Sequence, residues 1–413
     1  MPIKTGFIET ILDSTEELES PLSYWVWSGL TAISAVSKKL YINRGDAYML
    51  YPNIYVLLLG KSAIRKGPPV ALAKRLVKAV GNTRIVSGTA TIQAIIEYAA
   101  KAVTLETGGM LKDGSCFIVS GEASNSVSFD PLAQTTLVEL YDTSYVDDWE
   151  KMTISGGTKQ IKNPYFVMLG ASAQSHLTEF IQERSVEGGY IGRTMLVEER
   201  KRHRLNSLTT KMKKPIDKLM LVTYLKEIAT LEGEMTVLPE ANEEFDLWYG
   251  PYNEAIERDE IVDITGVAGR MGDHVWKLAM LWSLSYRLTK VIDADDVKQA
   301  IRICTTTTTT ANRTALTGND KKGKSQSSIH LAMVTKELAK RKSRTMSKAK
   351  ILQRLYPDIN SHEFDLVMQT MVDSKWVVAE SVKGSIEYTL KETTAEHFRN
   401  LFGLVVIDDM EKK

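Results

Sequence analysis

A chain of 413 residues with a formal net charge of +1 and 43% hydrophobic residues has the length for two or three domains around a large core, and is not disordered throughout. Its two cysteines, Cys116 and Cys304, lie far apart and its six histidines are scattered, so neither a disulfide framework nor a structural zinc site is indicated and a reducing cytoplasm is expected. The opening residues carry acids too early for a secretory signal, and no apolar run reaches membrane-spanning length, so no membrane partner is expected.

Residues 21–39 are rich in aromatic and small apolar side chains and predict a buried helix before a short strand at 40–43. The stretch YPNIYVLLLGKSAIRKGPPVALAKRL (51–76) then reads as an apolar strand, a turn and a helix. Those are the parts of a phosphate-binding P-loop, in which backbone N–H groups and a helix N-terminus face an anion and a lysine reaches its terminal phosphates. Against G-x-x-x-x-G-K-[ST], Gly60 begins the loop, Lys61, Ser62, Ala63 and Ile64 fill it, and Lys66 is the phosphate lysine. Arg65 stands where the second glycine belongs, and Gly67 where a metal-binding hydroxyl belongs. Pro68 and Pro69 suit a first helical turn, whose N–H groups have no intrahelical acceptor. The competing reading is an ordinary strand–turn–helix with a surface lysine.

A strand at 84–86 follows, then a helix capped by Thr89 or Thr91. Cys116–Val119 predicts a strand buried on both faces, with Glu122 just past its end. Beside a P-loop, such an acid orients or activates the attacking water. Ser120 and Gly121 occupy the places where a metal-side aspartate is expected, so the metal ligands stay unassigned. The acidic, aromatic stretch 137–151 receives no chemistry. SGGT at 155–158 predicts a hairpin turn with Lys159 just past it, either a solubilising charge or a contact to a polyanion. YFVMLG (165–170) is another buried strand, ending near Ser172. Gly188, Gly189 and Gly192 flank Tyr190 and lead to Arg193 at the entry of a strand, where a guanidinium can reach a phosphate.

From 213 to 311 the pattern is helical, with Asp293–Asp296 as a helix start and Thr305–Thr310 as that helix's end or exit. A polar stretch, 317–328, reads as a linker. Beyond it three helices and two strands predict a winged helix, a helix-turn-helix variant. Between Lys336 and Arg354 stand eight Lys or Arg and one acid, Glu337. Lys340, Arg341, Lys342, Arg344 and Lys348 are its candidate DNA contacts. Acids on the third helix, Glu363, Asp365 and Asp373, argue for phosphate tracking or protein docking over sequence reading.

YPNIYVLLLGKSAIRKG, FIVSGEAS, the LYD of 140–142, NPYFVMLGAS and GGYIGRTMLV, in that order, resemble the helicase-like P-loop ATPases of phages, plasmids and genomic islands. GRMGDHVWKLAML and IDADDVKQAIRI are similar to the helical lid of AAA+ helicases of the MCM type. The resemblance implies an α/β, three-layer AAA+-like core (51–212) with an N-terminal segment (1–50), a helical lid (213–316), a linker (317–328), a winged helix (329–392) and a C-terminal tail (393–413). It further implies ATP and Mg²⁺ as cofactors, Lys66 as phosphate lysine, Glu122 as catalytic acid, Ser172 as a sensor, Arg193 as an arginine finger, Arg270 as the lid arginine and Lys159 as a DNA-tracking lysine. A hexameric DNA helicase of a mobile element, in the cytoplasm of a bacterial host, with forked or single-stranded DNA and a primase or polymerase as partners, is the expectation. The alternative is a nucleotide-binding replication or loader protein that hydrolyses weakly or not at all.

Overall fold

The computed structural model describes residues 6–45, 47–104, 110–122, 130–153, 157–173, 189–207, 214–258, 261, 266–318, 326–355, 359–382 and 384–402. They divide into two units, Met1–Ala315 and Leu316–Lys413, each with its own hydrophobic core.

In the first unit the apolar runs become a parallel sheet of five strands: β1 (Tyr55–Gly60), β2 (Arg84–Ser87), β3 (Ser115–Ser120), β4 (Tyr165–Ala173) and β5 (Thr194–Glu198). Their order is β5-β1-β4-β3-β2. Every residue of β1 is buried, which is why its sequence is continuously apolar rather than alternating. The register sets Ser172 beside Leu59, Ala173 beside Gly60, and Gly170 beside Ser120. The carboxyl ends of β1, β3 and β4 therefore lie along one edge.

Helices α1 (Phe7–Thr15), α2 (Leu22–Val36), α3 (Gly67–Val80), α4 (Ile92–Ala100) and α5 (Pro131–Asp142) surround the sheet. α2 and α3 pack on each other and on β4, and α5 also touches β4. α1 approaches α2 at Gly29, where a Cβ would come within 2.6 Å of Ile8 Cδ1. Of the two candidate caps for α4, Thr91 is the one used: its hydroxyl accepts from the Ala94 N–H at 3.3 Å.

The helical region consists of α6 (Lys218–Thr230), α7 (Pro239–Glu257), α8 (Met271–Tyr286) and α9 (Ala294–Gly318). α6 packs on α2 and α3, and α8 on α1 and α2. Their buried residues join the same core as the sheet, so the expected lid is continuous with the core. The threonine run does not end its helix. Thr305, Thr306, Thr307 and Thr308 each donate a hydroxyl hydrogen bond to the carbonyl four residues back, at 2.8–2.9 Å, which accommodates β-branched polar residues inside α9.

The second unit holds α10 (Gln326–Ala339), β6 (Thr345–Ser347), α11 (Lys348–Leu355), α12 (Ser361–Asp373), β7 (Val377–Val382), β8 (Ser385–Leu390) and α13 (Glu392–Phe402). The strands form an antiparallel sheet in the order β6-β8-β7. Two elements differ from expectation. β6 is a third strand, and the expected tail contains α13, which docks on α10 through Arg399 hydrogen bonds to the carbonyls of Ala339 and Arg341 at 2.7 and 2.9 Å. Most of the expected linker, 319–325, lies outside the described residues.

Phe364 is fully buried at the centre of this second core, with its ring edge-on to Tyr388 at 5.9 Å. Phe364→Ala should lower the unfolding free energy of the second unit by about 3–5 kcal/mol. In scanning calorimetry of the full chain, one transition should move down while the transition of the first unit stays in place.

Candidate functional site

The loop between β1 and α3 has a backbone that its residue types do not favour. Ala63 (φ +66°) and Arg65 (φ +67°) are both left-handed, where a residue with a Cβ is strained by about 1–3 kcal/mol. Lys66 next to Arg65 is right-handed (φ −68°, ψ −33°), and successive left- and right-handed residues turn their N–H groups to one side as an anion nest. Arg65 thus adopts the conformation of the glycine that the motif places there. α3 begins at Gly67 with prolines in its first turn, and a Cβ on Gly67 would meet nothing within 4 Å.

A clamp of distant residues holds this strained loop. Glu19 accepts from Arg65 Nε at 2.6 Å and from Arg202 at 2.8 Å. Arg202 Nε donates to the Ala63 carbonyl at 3.1 Å, and Ser20 Oγ to the Arg65 carbonyl at 2.7 Å. Tyr24 donates its hydroxyl to the Leu59 carbonyl at 2.5 Å. At Gly60 a Cβ would lie 2.7 Å from that hydroxyl and 2.8 Å from the Glu199 carbonyl, so only glycine fits. The side chain of Arg65 turns to Glu19, leaving Lys66 as the cation inside the loop. Glu19 and Arg202 carry no local sequence signal of each other, because one is an acid before the sheet and the other part of a basic run after it.

Lys66 Nζ donates to the carbonyls of Gly60 (2.8 Å) and Lys61 (3.0 Å). Burial lowers its pKa, and the charge of Glu122 opposes that shift. Lys66 and Glu122 are therefore electrostatic neighbours, although 56 positions separate 66 from 122 in the sequence. Ser120 Oγ donates to the Glu122 carbonyl at 2.8 Å and shapes the turn that exposes this carboxylate. Ser172 is fully buried at the end of β4, between the ends of β1 and β3. Connections leave β1 toward β2 and leave β4 toward β5, in opposite directions, so the strand order reverses between β1 and β4. Ligands of open α/β sheets bind at that crevice. Among the described residues no cluster of three or more His, Cys, Asp or Glu is arranged for a metal ion. The nest, the helix N-terminus and Lys66 fit the phosphates of a nucleotide; Mg²⁺ held chiefly by such phosphates needs only one or two protein ligands.

Arg193 lies at the opposite edge. It precedes Thr194, which pairs with Tyr55 at the start of β1, so the length of β1, about 17 Å at 3.3 Å per residue, separates it from the Lys66 loop. It does not project as an unencumbered finger. It is 6% exposed, and its guanidinium grips Asp142 through two nitrogens and the Gly189 carbonyl through the third. The LYD stretch, to which no chemistry was assigned, supplies that partner. Arg270 stands nearby. Measured from the position of a Cβ on Gly189, Arg193 Nη1 is at 2.7 Å and Arg270 Nη2 at 3.6 Å. Both line a cavity of about 610 Å³ together with Asp142, Asp273, His274 and Lys277. Lys277, buried, donates to the Asn53 carbonyl and Oδ1 at 3.1 and 2.7 Å and sits 3.7 Å from the Tyr141 ring centre. Burial pulls its pKa to about 7. His274 donates from Nε2 to the Gly192 carbonyl at 2.8 Å, and burial lowers its pKa to about 4.

The residues assigned to DNA divide. Lys159 lies on a strand, Gly157–Ile161, paired antiparallel with Trp149–Thr153; the turn at 154–156 is outside the described residues. Lys159 is partnered by Glu97 at 3.4 Å, and directly across the ladder from it stands Lys151. Like charges directly opposite each other destabilise a hairpin. In the second unit much of the basic run is engaged internally. Arg341 is buried; Arg344 bonds to the Leu390 carbonyl and to Glu392; Lys340 and Arg354 share Glu337; Lys348 pairs with Asp365 at 2.5 Å. Lys342 and Lys350 are exposed. Glu363, read as an acid on a recognition helix, closes a capping box with Asn360.

No protein-family model matches the chain, and no curated protein matches it at a significant level.

His274 generates a signed pH dependence. Its folded pKa, about 4, lies below the ordinary 6.5, so between those values the unfolded chain binds the additional proton. Its contribution is complete above pH 6.5 and is lost as pH falls toward 4, by on the order of 3 kcal/mol. Urea titrations of wild type and His274→Gln should diverge in slope across that window and run parallel at pH 7–8.

Proposed function

We propose that the chain is a P-loop ATPase, with an AAA+-like three-layer core and a C-terminal winged helix, that couples ATP hydrolysis to movement along DNA as a ring of copies. The observation that carries this reading is the convergence of Lys66 and Glu122 at the reversal point of the sheet, beside a loop bent into an anion nest. In it, the loop N–H groups and the start of α3 receive the β- and γ-phosphates, and Lys66 releases its loop carbonyls to pair with them. Glu122, exposed at the end of β3, accepts the proton of the attacking water. Mg²⁺, when bound, neutralises developing charge on the phosphates. Arg270 is separated from this loop by the length of the sheet, so a nucleotide it serves belongs to a second copy. The second unit's helices α10, α11 and α12, packed with a three-stranded antiparallel sheet, support the winged helix, to which α13 is an addition.

A second reading has its own observation. Gly67 supplies no hydroxyl and Ser120 and Gly121 no carboxylate, which favours a protein that binds nucleotide and hydrolyses it slowly or not at all. Steady-state ATPase with and without single-stranded DNA separates the two. The enzyme reading expects turnover stimulated by DNA. Lys66→Ala should then weaken nucleotide binding, while Glu122→Gln keeps it and lowers turnover by about 10²–10⁴-fold. Tight binding without turnover in the wild type selects the second reading, and equal loss of binding in both variants removes the assigned roles.

The paired lysines of the hairpin bear on DNA. Lys151→Ala and Lys159→Ala should each reduce the slope of log K against log salt by roughly 0.7 on single strands if each side chain meets a phosphate. Each should also leave thermal stability unchanged or slightly raised, because a like-charge pair is relieved. Unchanged slopes return both lysines to solubilising charges.

A further inference from the structure

The cavity at the amino edge of the sheet has a graded charge. Its floor is buried and carries the cationic side chains of Arg193 at 6% and Lys277 at 3% exposure, with His274, neutral above its lowered pKa, beside them. Its rim is acidic, with Asp142 and Asp147 exposed, and a half-buried carboxylate, Asp273, acts on Lys277 from the wall. Charges at the floor act through a low dielectric, whereas those at the rim are screened by water. Two features of the floor are unbalanced. Among the described residues no carboxylate lies within 4 Å of Lys277 Nζ, whose partners are the amide oxygens of Asn53 and the Tyr141 ring. The guanidinium of Arg270 has no hydrogen-bond or ion-pair partner among the described residues, although it stands beside that of Arg193.

Asp142 occupies the fork of Arg193 in the manner of a ligand. The arginine side chain is 8% exposed and the aspartate side chain 48%, so the anion can be exchanged for another while Asp142 returns to water at small cost. A fork of this kind accepts phosphate oxygens in the same two-point geometry as a carboxylate. We propose that this cavity is a second anion site, in which a free phosphoryl compound displaces Asp142 from Arg193 and is held jointly by Arg193 and Arg270 above Lys277. The aromatic walls, Tyr48, Tyr51 and Tyr141, leave room beside the anion for a flat organic group. The inference is independent of the role proposed for the Lys66 loop, at the other edge of the sheet, and is an alternative to Arg270 serving the nucleotide of a second copy.

Inorganic pyrophosphate is the probe, titrated calorimetrically into the full chain carrying Lys66→Ala, so that the loop does not compete. Sedimentation at the same concentrations reports the size of the species. One pyrophosphate should bind per monomer. Adding Asp142→Asn, which removes the internal competitor's charge, should tighten binding about tenfold. Adding Arg270→Ala, whose side chain has no described partner to lose, should weaken it by a similar factor without altering the melting temperature. Should Asp142→Asn fail to fold, Arg270→Ala alone decides. Binding that is unaffected by Arg270→Ala, or absent altogether, overturns the site. Binding that appears only together with a larger sedimenting species assigns the anion to a contact between copies and overturns a site within one chain.

Discussion

The insertion of β4 between β1 and β3 is the constraint on which the candidate site depends. Because the strands are parallel, all their carboxyl ends lie at one edge, and the register carries Ala173 to Gly60 and Gly170 to Ser120. That pairing brings Lys66 within the electrostatic influence of Glu122 and leaves Ser172 buried between their strands. β4 is buried on both faces, so a one-residue slip would exchange the side chains facing its two packed layers, and packing of the apolar strands thereby fixes the register at their ends.

The loop itself is held from outside. Left-handed Ala63 and Arg65 are unfavourable by themselves, and residues from two remote segments compensate: Glu19, Ser20 and Tyr24 before the sheet, Arg202 after it. Arg65 accounts for its own presence in this way. It gives up the conformational ease of glycine and gains an ion pair to Glu19, which in turn fixes Arg202 over the Ala63 carbonyl. A loop restrained at several carbonyls presents its N–H groups with little left to order on binding an anion.

Charge is distributed differently at the two ends of the sheet and in the second unit. At the carboxyl edge one buried-side cation faces one exposed acid. At the amino edge the basic side chains Arg193, His274 and Lys277 are buried beneath solvated acids, and desolvation moves both His274 and Lys277 toward their neutral forms. In the second unit, by contrast, the basic run that looks like a surface patch in the sequence is largely engaged in capping, strand and helix contacts.

The sequence by itself determined the parallel α/β core, the strand–turn–helix at 51–76, the acid at the end of β3, the hairpin bearing Lys159 and a separate C-terminal unit. Each rests on a local signal: continuous apolar runs, turn residues, proline in a first turn or helical periodicity. Only the tertiary structure decided that Glu122 acts electrostatically on Lys66, that Arg65 turns to Glu19, that Arg193 is gripped by Asp142, that Lys151 faces Lys159, and that Thr305–Thr308 sit inside α9. All but the last join residues distant along the chain or set by strand register, and the helical threonines are accommodated by hydroxyl hydrogen bonds to the carbonyls four residues back. The physical reason is common to them. A side chain's charge is written in its residue type, but its partner, its dielectric surroundings and therefore its availability are set by which strands and helices close around it.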